Sequence, residues 1–182
     1  MRDPQPTEAT SSAPPRRRRR WLLIPAVLVA VLAWSAITLI LAGTALRDGR
    51  ADLGEARRTL TSGDLTAAAA AFEEAGAAFD RAADANGWGP GFVPFLGDDH
   101  DAVGAMAEGG AHLAAAGDIL VEGLADVPGG LDGLAPTAGG LPLDAYRELA
   151  GALETAAAEA ATAARTIAEA PSSYLLPPVA QA

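Results

Sequence analysis

The 182-residue chain has neither cysteine nor lysine. Without cysteine there are no disulfides, no thiolate metal ligands, no sulfur nucleophile and no lipid-bearing cysteine. Without lysine no phosphate-cradling Gly-Lys loop exists. The six serines sit two near the N-terminus, one at Ser35, one at Ser62 and two near the C-terminus, none inside a Gly-x-Ser-x-Gly elbow. No stretch alternates apolar and polar residues with the period of two that a half-buried strand needs. These absences point away from an enzyme, from cofactor chemistry and from a β fold.

Charge is also missing from one long stretch. Trp21 to Leu46 carries no charged side chain, and five consecutive arginines, Arg16 to Arg20, precede it directly. About 20 apolar residues cross a bilayer core as a helix, and flanking arginine stays on the cytoplasmic side. The reading is a plasma-membrane single-pass protein with its N-terminus cytoplasmic and the remainder extracytoplasmic. Residues 1–15, rich in Pro, Ser and Thr, read as a disordered cytoplasmic tail, and 16–46 as basic leader and transmembrane helix. Gly43-Thr44-Ala45 resembles a leader-cleavage site, but the apolar run exceeds the roughly 7–15 residues of a secretory core, which favours a retained signal anchor. Ala26, Ala30 and Ala33 place small side chains at helical spacing, so homodimerisation through this helix is possible.

The net charge of -10 is unevenly spread. Residues 59–182 hold three arginines against eighteen acids. A surface this acidic repels phosphate backbones, so nucleic acid is a poor partner. Roughly a quarter of the chain is alanine, which reads as coding bias of a GC-rich genome.

Beyond the apolar run the pattern is helical. Leu46, Leu53 and Leu60 recur at seven, with Gly49 and Ala56 in the complementary seam, so the first helix continues to about Thr61. Ser62-Gly63 breaks it and Asp64 is placed to cap the next. Leu65, Phe72 and Phe79 recur at seven, offset from Ala68, Ala75 and Ala82. A third helix, about Asp99 to Val127, carries Met106, Leu113, Leu120 and Val127 on one row and Val103, Gly110, Gly117 and Leu124 on the other. A fourth, about Leu143 to Ala170, sets Tyr146, Leu153, Ala160 and Ile167 against Leu149, Ala156, Ala163 and Ala170, and Pro171 ends it. The fold class expected is all-α: a transmembrane helix continuing into an antiparallel up-down bundle over 47–170, followed by a Pro-rich tail, 171–182. Gly110 and Gly117 fall on a seam; Gly104, Gly109 and Gly123 do not.

If helix two descends antiparallel to the first, the Gly/Pro loop from Asn86 to Gly97 arrives near the outer headgroups. Its Trp88, Phe92 and Phe95 then either plug the end of the bundle or touch the membrane interface, a level that amphipathic rings favour. Asp98-Asp99-His100-Asp101 is the densest group of ligand-type side chains. It lacks the spacing of a cation-wrapping loop, and it opens a helix, where acids are favoured by the unpaired N–H groups. His112 lies on neither seam row and reads as solvated; Glu73-Glu74 read as an exposed face.

Gly63-Asp64-Leu65 followed by Ala68, Phe72, Ala75 and Phe79 looks like half a tetratricopeptide unit, without a second copy at the repeat distance. More extensively, the poly-Arg leader, single apolar helix, Gly-Asp-Leu hairpin, Val93-Pro94-Phe95-Leu96-Gly97 loop, two further helices and Leu175-Leu176-Pro177 tail resemble the N-terminal region of the membrane-anchored bacterial family called domain of unknown function 4012. In that family a larger exported domain follows, so the resemblance implies either a truncated member or a piece of a longer chain. It also implies a cell-envelope role near surface polysaccharide assembly. The expected function is a non-enzymatic membrane-anchored stalk or interaction module, its partners being the lipid bilayer and envelope proteins or a missing C-terminal domain. The alternative is a small-ligand sensory bundle of the chemoreceptor kind, which would need a polar pocket between helices three and four.

Overall fold

The computed structural model describes residues 17–89, 97–136 and 140–171, with side chains from Val27 onward. Among these residues there are four α-helices and no strand: α1 Arg17–Ser62, α2 Leu65–Gly87, α3 Gly97–Ala125 and α4 Leu143–Glu169, with a short 3-10 helix Gly130–Leu134 between the last two. α1 is the one described helix long and apolar enough to cross a membrane, and only 22% of its most apolar window is buried within the protein.

α1 ends where the sequence places a turn. Gly63 adopts φ +83°, a left-handed conformation that costs glycine nothing. The Gly63 N–H donates to Leu60 O (3.1 Å) and the Asp64 N–H to Thr59 O (3.0 Å), the paired bonds of a Schellman close. The Asp64 carboxylate then accepts from the Ala67 N–H at 3.0 Å and caps α2. At the other end, Ala170 is extended (ψ 140°) because Pro171 follows. α3 begins at Gly97, two residues before the expected start, and stops at Ala125, two before the expected end.

Two phenylalanines organise the core. A Cβ on Gly110 would run into the Phe79 ring, and one on Gly49 would lie 2.9 Å from its Cζ. Phe79 is therefore held between α1 and α3. Gly117 receives Phe72 in the same way. Clustered with Phe79 are Ala42, Ala75, Ala82, Ala102 and Val103, and with Phe72 are Ala56 and Ala68, each fully buried. Pairing of 79 with 110 and 72 with 117 makes α2 and α3 antiparallel. Gly109 against Ile167 and Gly123 against Ala152 make α3 and α4 antiparallel as well.

Two of the glycines outside the expected seam thus have an explanation. Gly109 would carry a Cβ 2.6 Å from Ile167 Cγ1, and Gly123 one that collides with Ala152. α3 is the central helix and uses two faces: one admits the α2 phenylalanines, the other lets α4 approach. A Cβ on Gly104 would lie 3.3 Å from the Asn86 amide nitrogen, so glycine there leaves room for that side chain.

The array is more open than a closed four-helix arrangement. α1 packs on α2 and α3, and α2 on α3, whereas α4 packs on α3 and on the 3-10 helix only. Leu149, Ala156 and Ala163 are the buried residues of α4. The row expected to close the bundle stays partly uncovered, with Tyr146 42%, Leu153 49% and Ile167 42% exposed.

Candidate functional site

The end of the array where α2 gives way to α3 concentrates the unusual chemistry. α2 runs to Gly87, and Trp88 follows with its side chain 73% exposed. Its carbonyl accepts a hydrogen bond from the Trp34 indole N–H of α1 at 2.9 Å. Trp88 is thus neither a core plug nor a free loop residue. It stands beside a helix that is apolar at the same height. Phe92 and Phe95, named with it from the sequence, lie outside the described residues.

Behind Trp88 is a compact polar lock. The Asn86 side-chain amide donates to His100 O at 2.8 Å, and Asn86 Oδ1 lies 2.8 Å from His100 Nδ1. A carbonyl only accepts, so the amide NH2 must face it and the amide oxygen must face the ring. His100 Nδ1 therefore carries the proton and donates. This leaves Nε2 as a buried nitrogen without a hydrogen-bond partner among the described residues. His100 is 5% exposed and Asp99 1%. The acidic cluster is thereby divided: Asp98 and Asp101 face outward from the first turn of α3, while Asp99 and His100 face the core. Among the described residues no three histidines, aspartates or glutamates converge on a point where a metal ion would sit.

The first turns of contact on α1 are polar too. Ser35 is fully buried and its hydroxyl has no partner among the described residues; Thr38 is 4% exposed and donates to Ser35 O at 3.0 Å. Leu39, Ala42 and Leu46 continue this inward face and join Phe79, Ala82, Ala102 and Val103 in one cluster. The opposite face at the same heights is bare, with Ile37 51%, Ile40 60% and Leu41 55% exposed. Ala30 and Ala33 are also exposed, but Ser35 is enclosed by the chain's own helices, so the small-residue stripe is not continuous along one face.

A second feature lies between α1 and α4. Leu46, Arg50 and Leu53 from α1, Met106, Gly110 and Leu113 from α3 and Ile167 from α4 line a groove of ≈ 240 Å³, floored by Phe79. Its walls are almost wholly apolar. On the far side of α3, His112 is not solvated as its sequence position suggests. Its Nδ1 lies 2.6 Å from Glu159 Oε2 on α4, with both side chains about one-third exposed. His112–Glu159 is a contact between two helices, whereas the Arg58–Glu55 and Arg147–Asp144 ion pairs each lie within one helix. Neither the groove nor the pair presents a nucleophile beside a base, so the arrangement suits packing contacts more than bond-breaking chemistry.

Compared with protein-family models, with curated proteins and with solved structures, the chain matches none.

Proposed function

We propose that this chain is a single-pass membrane-anchored stalk or interaction module of the cell envelope, without enzymatic activity. Its N-terminus is cytoplasmic, and its acidic helices form an open up-down bundle outside the membrane. The observation that carries the proposal is the continuity of α1. One helix presents Val27, Leu28 and Val29 bare, at 57–64% exposure, and then contributes Leu39, Ala42, Leu46 and Ala56 to the core. An apolar helix with uncovered sides is stable in lipid and costly in water. The arginine cluster at 16–20 supports the inside-to-outside direction.

Removal of a leader at Gly43-Thr44-Ala45 fits this poorly. Cleavage there would strip Leu39 and Ala42 from the core, both under 8% exposed. The contact between α3 and α4 favours the module over a ligand sensor, because apart from the partly exposed His112–Glu159 pair it is made by Gly109, Gly123, Ala152, Ala163 and Ile167. The partners fitting this role are the bilayer itself and an envelope protein or a C-terminal domain. With its strongly acidic exterior, nucleic acid is not among them. The resemblance to domain of unknown function 4012 belongs to the same proposal.

The test is alkaline carbonate extraction of a bacterial host expressing the full chain with alkaline phosphatase fused at its C-terminus. The expected result is an enzymatically active fusion that stays in the membrane pellet. An inactive fusion refutes the orientation, and a fusion released by carbonate refutes the anchor.

A further inference from the structure

The uncharged run and the helical core overlap on α1, and their lengths cannot both be satisfied with the core held clear of the membrane. Among the described side chains of α1, burial begins at Ser35, and the run from Trp21 to Trp34 that precedes it rises about 20 Å. A hydrocarbon core of about 30 Å needs roughly 20 residues, which from Trp21 extends to Ile40. Starting lower draws Arg17 to Arg20 toward hydrocarbon, which costs more with each arginine drawn in even where the stems reach back to the headgroups. By Ile40, however, α1 is already enclosed on one side, because burial against α2 and α3 begins at Ser35.

From these lengths we propose that the α2–α3 end of the bundle is seated in the outer leaflet, with lipid as its partner, rather than carried above it. The inference rests on the anchor reading and adds where the bundle sits. Ser35 to Ile40 spans about 8 Å, the depth to which the packed end reaches below the top of the hydrocarbon core.

Four independent features agree. Ile37, Ile40 and Leu41 stay bare on the side of α1 away from the bundle, so apolar surface continues upward beside the packed helices. The sequence between Asp84 and Asp98 has no charged residue, while the chains on either side of it are acidic. At that depth backbone and indole groups cannot rely on water, and the Trp34 N–H and the Trp88 carbonyl satisfy one another at 2.9 Å. The polar side chains at the same level, Ser35, Thr38, Asp99 and His100, are all turned inward, each under 6% exposed. Asp98 and Asp101 are the exceptions: both face outward on the first turn of α3, at this same end, so on that side the seating holds carboxylates among the headgroups.

The absence of cysteine makes the test direct. Leu32→Cys, Ile40→Cys, Trp88→Cys and Asp118→Cys are each made in the full chain, labelled with a nitroxide and reconstituted in phosphatidylcholine–phosphatidylglycerol vesicles. The ratio of oxygen to nickel-chelate accessibility is then read at each site. The expected ratio is several-fold higher at 32, 40 and 88 than at 118. A high ratio at 32 with water-like values at 40 and 88 overturns the seating while leaving the anchor intact. A water-like value at 32 removes the anchor and the seating together. Because Trp88→Cys alters the site it probes, a second measurement uses Trp21→Phe/Trp34→Phe with Trp88 as the remaining indole. Brominated lipids should quench its emission by at least half, and unquenched, red-shifted emission contradicts the seating.

Discussion

At the scale of single residues, stability is set by how glycine and phenylalanine are matched. Alanine at a helical glycine normally raises stability by up to about 1 kcal/mol through propensity. Gly117→Ala should do the reverse here and lose about 1–3 kcal/mol, because its methyl group enters the space of the Phe72 ring. Gly151→Ala is the control. Nothing lies within 4 Å of that position, and the variant should gain about 0.5–1 kcal/mol. Thermal unfolding followed by circular dichroism in detergent separates the two by sign alone. The heptad spacing puts Phe72, Phe79, Gly110 and Gly117 on seam rows in the sequence, but which ring meets which glycine is shown only by the packed helices. Gly109 and Gly123 are not legible in that way. A seam drawn for one partner cannot show that α3 has a second, and the residue that meets Gly109 lies 58 positions away at Ile167. The same distance problem hides the partner of His112, which is 47 residues downstream.

At the scale of helices, turn chemistry carries most of the legible information. Ser62-Gly63-Asp64 and Pro171 set the ends of α1, α2 and α4 to within two residues of where local rules place them. Asp64→Ala should remove about 1 kcal/mol, the usual worth of an N-cap, readable as a lower unfolding midpoint. What local rules do not contain is which helix touches which. Tyr146, Leu153 and Ile167 form as regular a row as Leu149, Ala156 and Ala163, yet only the second row is buried. α4 therefore rests on one neighbouring helix, assisted by a half-exposed His112–Glu159 contact worth under about 1 kcal/mol. Its amides should exchange with deuterium well before those of α2 and α3, in line with its few buried contacts. Equal protection across α2, α3 and α4 would mean that something else covers the open row.

At the scale of the whole molecule, α1 runs without a break from a bare apolar stretch into the packed helices. The apolar run is plain in the sequence, but its division is not: only the packed helices reveal that one face of it from Ser35 onward also serves as core. Leu39 shows the consequence. It lies inside the uncharged run, yet it is 7% exposed and belongs to the cluster around Phe79. Leu39→Ala should destabilise the helical array by about 2–5 kcal/mol, whereas Leu32→Ala, 42% exposed, should leave its unfolding midpoint nearly unchanged. The account as a whole is tested most directly by the intact mass of the full chain recovered from fractionated cells. The account predicts a membrane-bound species that retains Trp21 to Leu46. A soluble species whose first residue lies between 36 and 46 would contradict it.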